Sequence, residues 1–250
     1  MRTCFGKGVF LLSLLLLGLS PVVWAETSEL QTQFQDGVAS YNKGDYQTAI
    51  RSFETFATNG KSAPLFYNLA NSYAQDGQSG LAILNYERGL RLAPGDSDIR
   101  GNLELVRRDN GLFQEKQSFV QQFVTFLSLN QWLGLTATAV VLFAVALLLP
   151  SSVVSKKSTR YGFASVCLFL LTVAGVAAFG QYQHWHDGVV VVSDARLRVS
   201  PFETSASIGM IQEGRLLRPG KVHNDFVLVV DEAGRSGWLT MDSFESIAIP

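Results

Sequence analysis

The sequence predicts a multidomain membrane protein: α-helical hairpins, then two membrane-spanning helices, then a small C-terminal β-barrel. Three observations predict it. Residues from 30 to about 110 repeat with a period of 33. Two later windows, 132–149 and 161–182, carry no charge. From Gly188 onward the apolar pattern switches to period two between turn residues.

The chain opens on a secretory signal, predicted over 1–25. Arg2 and Lys7 supply the positive start, residues 9–19 the apolar run, and Pro21 a helix breaker. Val23-Trp24-Ala25 puts small or modest residues where a signal peptidase reads, so cleavage is expected after Ala25. The apolar run is shorter than the ~20 residues a span needs. Cys4 falls in the signal and Cys167 in an apolar window. The mature chain then keeps a single thiol, with no disulfide framework and no metal-ligand spacing. Net charge is −1, which gives no basis for binding nucleic acid.

Residues 26–111 form the repeat domain. Gly44 and Gly77 match in phase, as do Ala49 and Ala82, and Phe53 and Tyr86. Gly takes the tight turn between helices, Ala lets helices approach, and the aromatics fill the space between hairpins. Pro94 stops the second hairpin. Residues 96–110 add a capping helix with Ile99, Leu103 and Val106 on its apolar stripe. This pattern resembles the tetratricopeptide repeat. In that family the first helix of each hairpin lines a concave groove. By phase the resemblance assigns Phe34, Val38 and Tyr41 to it from the first repeat, and Tyr67, Asn68 and Asn71 from the second. Some relatives clamp a terminal carboxylate there with Lys and Asn. Asn68 fits that pattern, but Phe34 and Val38 do not. The groove is therefore expected to be apolar and amide-rich, suited to a peptide or helix. Two repeats bury little core, and a partner protein, the membrane surface or a neighbouring helix would have to make good the deficit.

That neighbouring helix is predicted over 112–131, where Phe119, Val120, Phe123, Phe126 and Leu127 share one face and Gln117, Gln121 and Gln122 lie elsewhere. It either lies on the membrane surface or packs on the helical domain. The spans follow at 132–149 and 161–182. Eighteen residues reach about 27 Å, close to the hydrocarbon thickness, and Trp132, Tyr161, Tyr182 and Trp185 fall at the expected interfaces. The loop 150–160 contains Lys156, Lys157 and Arg160 with no acid, which marks it as cytoplasmic. Both flanking domains then face outward, as the signal peptide independently requires.

The module at 187–250 is predicted to hold five short strands, with Trp238 as a core aromatic. Leu197-Arg198-Val199-Ser200-Pro201 and Gly234-Arg235-Ser236-Gly237-Trp238-Leu239 resemble the opening and late motifs of bacterial SH3 domains. That resemblance implies a domain that binds cell-wall peptides or proteins.

No catalytic, cofactor or metal residue is predicted. Gly60-Lys61-Ser62 lacks the upstream Gly and preceding strand of a phosphate loop. His184-Trp185-His186-Asp187 reads as an interfacial cluster beside the second span. The order of parts is similar to the BatE family of the Bacteroides aerotolerance operon. Tyr67-Asn-Leu-Ala-Asn-Ser-Tyr73, Ala82-Ile-Leu-Asn-Tyr-Glu-Arg-Gly-Leu-Arg-Leu-Ala-Pro94, Asp98 and Asn102-Leu-Glu-Leu105 carry that similarity. It implies a non-enzymatic inner-membrane scaffold in a stress-tolerance complex, acting with von Willebrand factor A-domain Bat proteins and a MoxR-type ATPase. Membrane lipid is the other expected partner. The competing expectations are a cell-wall sensor that binds peptidoglycan through the SH3-like module, and an unrecognised enzyme or enzyme accessory.

Overall fold

The computed structural model describes residues 20–113, 118–148 and 157–249, with side chains from residue 31 onward except Asn59. The signal segment up to residue 19, Gln117, and the loop stretch 149–156 with Lys156 lie outside the described residues. Among the described residues there are eight α-helices and a curled seven-stranded antiparallel sheet that forms a half-barrel. The chain divides into two compact units, Met1–Lys61 and Ser62–Pro250.

The first unit is one helical hairpin. Helix α1 (Ser20–Asn42) runs unbroken past Ala25. Pro21 sits in its first turn, where a missing N–H costs nothing. Gly44 turns the chain at φ +79°, and Asp45 caps α2 (Tyr46–Asn59) by accepting from the Thr48 N–H. Hydrogen bonding from the Thr48 side chain, and then from its backbone N–H, holds the Asp45 carboxyl below its usual range. Ala49 and Phe53 are fully buried.

The second unit begins with a matching hairpin, α3 (Ala63–Gln75) and α4 (Ser79–Leu92). The periodicity reaches structural detail. Helices α2 and α4 are both 14 residues long. Gly77 turns at φ +82°, and Ala82 and Tyr86 are as buried as Ala49 and Phe53. Asp96 caps α5 (Ser97–Asp109) through two backbone N–H groups. Helix α5 lays Ile99 and Leu103 on the hairpin.

The apolar segment forms three helices: α6 (Phe119–Val124), α7 (Leu129–Leu148) and α8 (Lys157–Gln183). Ser118 and Gln121 close a reciprocal capping box on α6, and Ser128 and Gln131 repeat it before α7. Helices α7 and α8 are long and apolar enough to cross a membrane. They pack through small residues, with Ala139, Ala146, Ala164, Cys167, Ala174, Ala177 and Ala178 buried. Large side chains turn outward: Phe169 is 67% exposed and Val176 66%. That is inverted from a water-soluble core and matches packing in lipid. Lys157 and Arg160, read from sequence as loop, belong to the first turn of α8. Arg160 Nε donates to the Ala146 carbonyl at 2.9 Å, near the end of α7. Helix α6 packs on α8, rather than on the repeat domain as one sequence reading had it. Gln181 Nε2 donates to the Val124 and Leu127 carbonyls at 2.6 Å each, and Trp132 Nε1 donates to Val124 as well. Phe119, Val120 and Phe126 remain exposed.

The sheet comprises β1 (Gly188–Val190), β2 (Ala195–Arg198), β3 (Ser207–Ile211), β4 (Leu216–His223), β5 (Phe226–Asp231), β6 (Ser236–Thr240) and β7 (Phe244–Ser246). The spatial order is β3-β2-β6-β5-β4-β1-β7. Seven strands replace the five expected, because the short β1 and β7 pair with each other and β1 also pairs with β4. Val190, Ala195, Leu197, Ile211, Leu217, Val227, Val229 and Leu239 form the core. Trp238 is absent from it. On β6 the buried residues are Gly237 and Leu239, so strand alternation turns Trp238 to the opposite face.

Candidate functional site

The six groove residues divide between the two units. In the first, Phe34 packs on Phe53 and Phe56, with ring centroids 5.6 and 5.7 Å apart. Tyr41 packs on Tyr46 at 5.5 Å, and Val38 is half-buried. In the second, Tyr67, Asn68 and Asn71 are all half-buried on α3. Asn71 Oδ1 accepts from the Tyr86 hydroxyl and from Asn102 Nδ2, and that same Asn102 amide reaches the Tyr67 hydroxyl at 3.2 Å. Both acceptor bonds fall on Asn71 Oδ1. Asn68 Nδ2 is turned back onto the Pro64 carbonyl at 2.8 Å. Asn102 completes this polar set and was not among the predicted groove residues. Its signal was an amide beside the apolar stripe of α5. A small cleft of about 140 Å³ adjoins the set, lined by Ala63, Pro64, Tyr67, Asp96, Asp98 and Ile99.

Helix α4 is locked to the sheet. A Cβ on Gly80 would lie 2.7 Å from the Val190 carbonyl, and one on Gly214 would lie 2.5 Å from Ile83 Cδ1. Only glycine permits this approach. The Gly80 N–H donates to Glu213 Oε1 at 2.7 Å. At the other end of α4, Arg88 pairs with Glu245 at 3.2 Å and donates to the Ser246 carbonyl. One turn on, Arg91 donates to the His184 and Trp185 carbonyls at 2.7 and 2.6 Å, and its guanidinium lies 5.1 Å from the Trp185 ring centroid. These carbonyls follow the C-terminus of α8, where a cation also favours the helix dipole. Burial lowers the Arg91 guanidinium below its usual value, against the opposing fields of Glu87 and Asp187. The sequence offered a partner, the membrane or α6 to support the short repeat. Within the second unit the sheet supports it as well.

No family model matches this sequence, and no curated protein does.

Two features mark the outer face of the sheet. Arg198 and Trp238 are cross-strand neighbours on β2 and β6. Trp238 meets His223 edge-on at 6.4 Å, and His223 meets Phe202 at 6.1 Å. Phe202 is 57% exposed. Beside Arg198 opens a cleft of about 320 Å³ lined by Val192, Asp194, Arg196, Arg198, Thr240, Asp242 and Ser243. Sequence reading assigned Trp238 to the core because a Gly precedes it and an apolar residue follows. Period two alone leaves the inward face open, and the pairing of Leu239 with Val227 settles it. His184 sits 2.8 Å from Asp187, with Arg218 3.1 Å from the same ring nitrogen.

Proposed function

We propose that the chain is a two-pass inner-membrane scaffold that recruits another exported or membrane-anchored protein. On this reading α7 and α8 cross the bilayer, the repeat and the SH3-like sheet lie in the periplasm, and the basic segment lies in the cytoplasm. The observation that carries it is the clamp on α4. This helix is held by the sheet and by the turn after α8, so the hairpin is fixed to the end of an apolar helix. Such a mount suits a docking surface better than a free tether would. Helix α3 then offers Tyr67, Asn68 and Asn71 half-exposed. An aromatic flanked by amides binds a peptide or helix through desolvated area and backbone hydrogen bonds, with Tyr among the residues that dominate such interfaces. The half-buried Asn71 can fix register by hydrogen-bonding a peptide backbone. The resemblance makes a von Willebrand factor A-domain Bat protein the first candidate partner and the MoxR-type ATPase the second.

A photoreactive phenylalanine derivative at Asn68, in the full chain in native membranes, tests this. A discrete adduct is expected at Asn68, lost when Tyr67→Ala is added. Adducts formed equally at the exposed Arg108 would show that α3 is not the docking surface.

A further inference from the structure

We propose that α6 and the turn after it are embedded in the bilayer leaflet on the side of the sheet, with Phe119, Val120 and Phe126 among lipid acyl chains, and that Gln181 makes this burial possible. The proposal rests on reading α7 and α8 as membrane spans. A helix that lies on headgroups carries a charged face. Helix α6 carries none: the chain has no charge from Ser118 to Ser155, well beyond the ~20 residues of a span. Its polar groups are satisfied locally. Ser118 and Gln121 cap each other, as do Ser128 and Gln131. The Thr125 hydroxyl donates back to the Gln121 carbonyl at 2.8 Å. The apolar groups face out instead: Phe119 is 90% exposed, Val120 72% and Phe126 72%.

The depth follows from α7 and α8. Arg160 Nε meets the Ala146 carbonyl, which pairs the basic start of α8 with the far end of α7. Counted from that pair, the ~20 residues of a hydrocarbon core reach Gly180 on α8 and Phe126 just before α7. Val124 lies at that level, since a Cβ on Gly180 would be 3.7 Å from its Cγ1. Leu127 and Leu129 pack with Trp132 against Ala174, Ala177 and Ala178, up to about 9 Å inside Gly180 at the helical rise. The turn thus places non-helical backbone where lipid supplies no donor, which is tolerated only where protein satisfies it. Gln181 does so. Its Nε2 donates to the Val124 and Leu127 carbonyls at 2.6 Å each. Trp132 gives its indole N–H to the Val124 carbonyl at 2.9 Å rather than to a headgroup. At a similar level, Leu133 on α7 and Phe179 on α8 are also exposed. Acyl chains are the one occupant that covers α6, α7 and α8 alike.

The full chain with Cys167→Ala, carrying one nitrobenzoxadiazole label at a time, should be reconstituted into phosphatidylethanolamine–phosphatidylglycerol vesicles. The labelled positions are Phe119→Cys and Phe126→Cys, with Phe169→Cys as the span control and Glu104→Cys as the water control. Quenching is read with lipids spin-labelled on the headgroup or along the acyl chain. Labels at 119 and 126 should be quenched about twofold more by the acyl-chain lipid than by the headgroup lipid, and the label at 104 by neither. Gln181→Met keeps the bulk and removes the donor. It should reverse the preference at 126 while leaving 169 unchanged. Stronger headgroup quenching at 119 and 126 would make α6 a surface helix, and no quenching there would mean that protein covers it; either result overturns the proposal. Unchanged depth in Gln181→Met would overturn the role of Gln181. If 169 also escapes quenching, the reading of α7 and α8 as spans fails, and the proposal with it.

Discussion

Trp238 and Leu239 are sequence neighbours with opposite duties. Leu239 is fully buried in the sheet core, whereas Trp238 turns toward His223 on the other face. Leu239→Ala removes buried methyl groups and should cost about 2–5 kcal/mol. Trp238→Ala should leave the sheet folded and cost less, since it opens no internal cavity. Thermal unfolding followed by far-ultraviolet circular dichroism compares them. A Trp238→Ala chain that unfolds as readily as Leu239→Ala would return the tryptophan to a structural role. Arg91 is the other residue whose duty is invisible in one dimension. It reads as a basic residue in the last turn of a helix, yet it caps two carbonyls more than ninety positions away and covers an indole.

At the scale of elements, the seam between α4 and the sheet depends on Gly214. Its φ of +83° and its approach to Ile83 both exclude a side chain. Gly234 shares the positive φ, at +76°, but has open space around it. Each Gly→Ala change should therefore pay the same left-handed strain, about 1–2 kcal/mol. Gly214→Ala should add the cost of pushing Ile83 of α4 away from the turn between β3 and β4. The expected result is a larger fall in melting temperature for Gly214→Ala and faster hydrogen exchange along α4, a response absent in Gly234→Ala. Equal effects would mean that the seam contributes nothing beyond backbone strain. Helix α6 shows the converse arrangement. Gln181 and Trp132 both donate to the carbonyl of its last residue, Val124, and Gln181 also to Leu127 just beyond it, so the short helix is held by hydrogen bonds while Phe119 and Phe123 stay exposed.

For the whole molecule the prediction is topological. Lys157 and Arg160 begin α8, and the sheet follows its other end. If the basic end is cytoplasmic, residues 104 and 207 must share the periplasmic side. Single cysteines replacing Glu104, Ser155 and Ser207, in a chain with Cys167→Ala, should be labelled by an impermeant maleimide in intact spheroplasts at 104 and 207 only. Labelling at 155 alone would reverse the orientation, and labelling at only one of 104 and 207 would remove one crossing.

The repeat was legible because it rests on local rules. A left-handed Gly, a small Ala and an aromatic recur at fixed spacing, so the match of α2 to α4 follows from sequence. The apolar helices were legible for a similar reason, since absence of charge over a long window needs no knowledge of neighbours. The limits of α8 were less so, because Lys157 and Arg160 read as loop until their helix is seen to extend to meet Ala146. The direction of Trp238 was hidden because period two fixes alternation but not which face is inward. The polar set around Asn71 was hidden because Tyr86 and Asn102 reach it from other helices. The sequence by itself determined the order of helices, apolar segments and strands, through periodicity and charge. Tertiary structure alone decided that the second hairpin belongs to the same unit as the sheet. That choice depends on two glycines 134 positions apart meeting backbone and side chains they could reach only after folding.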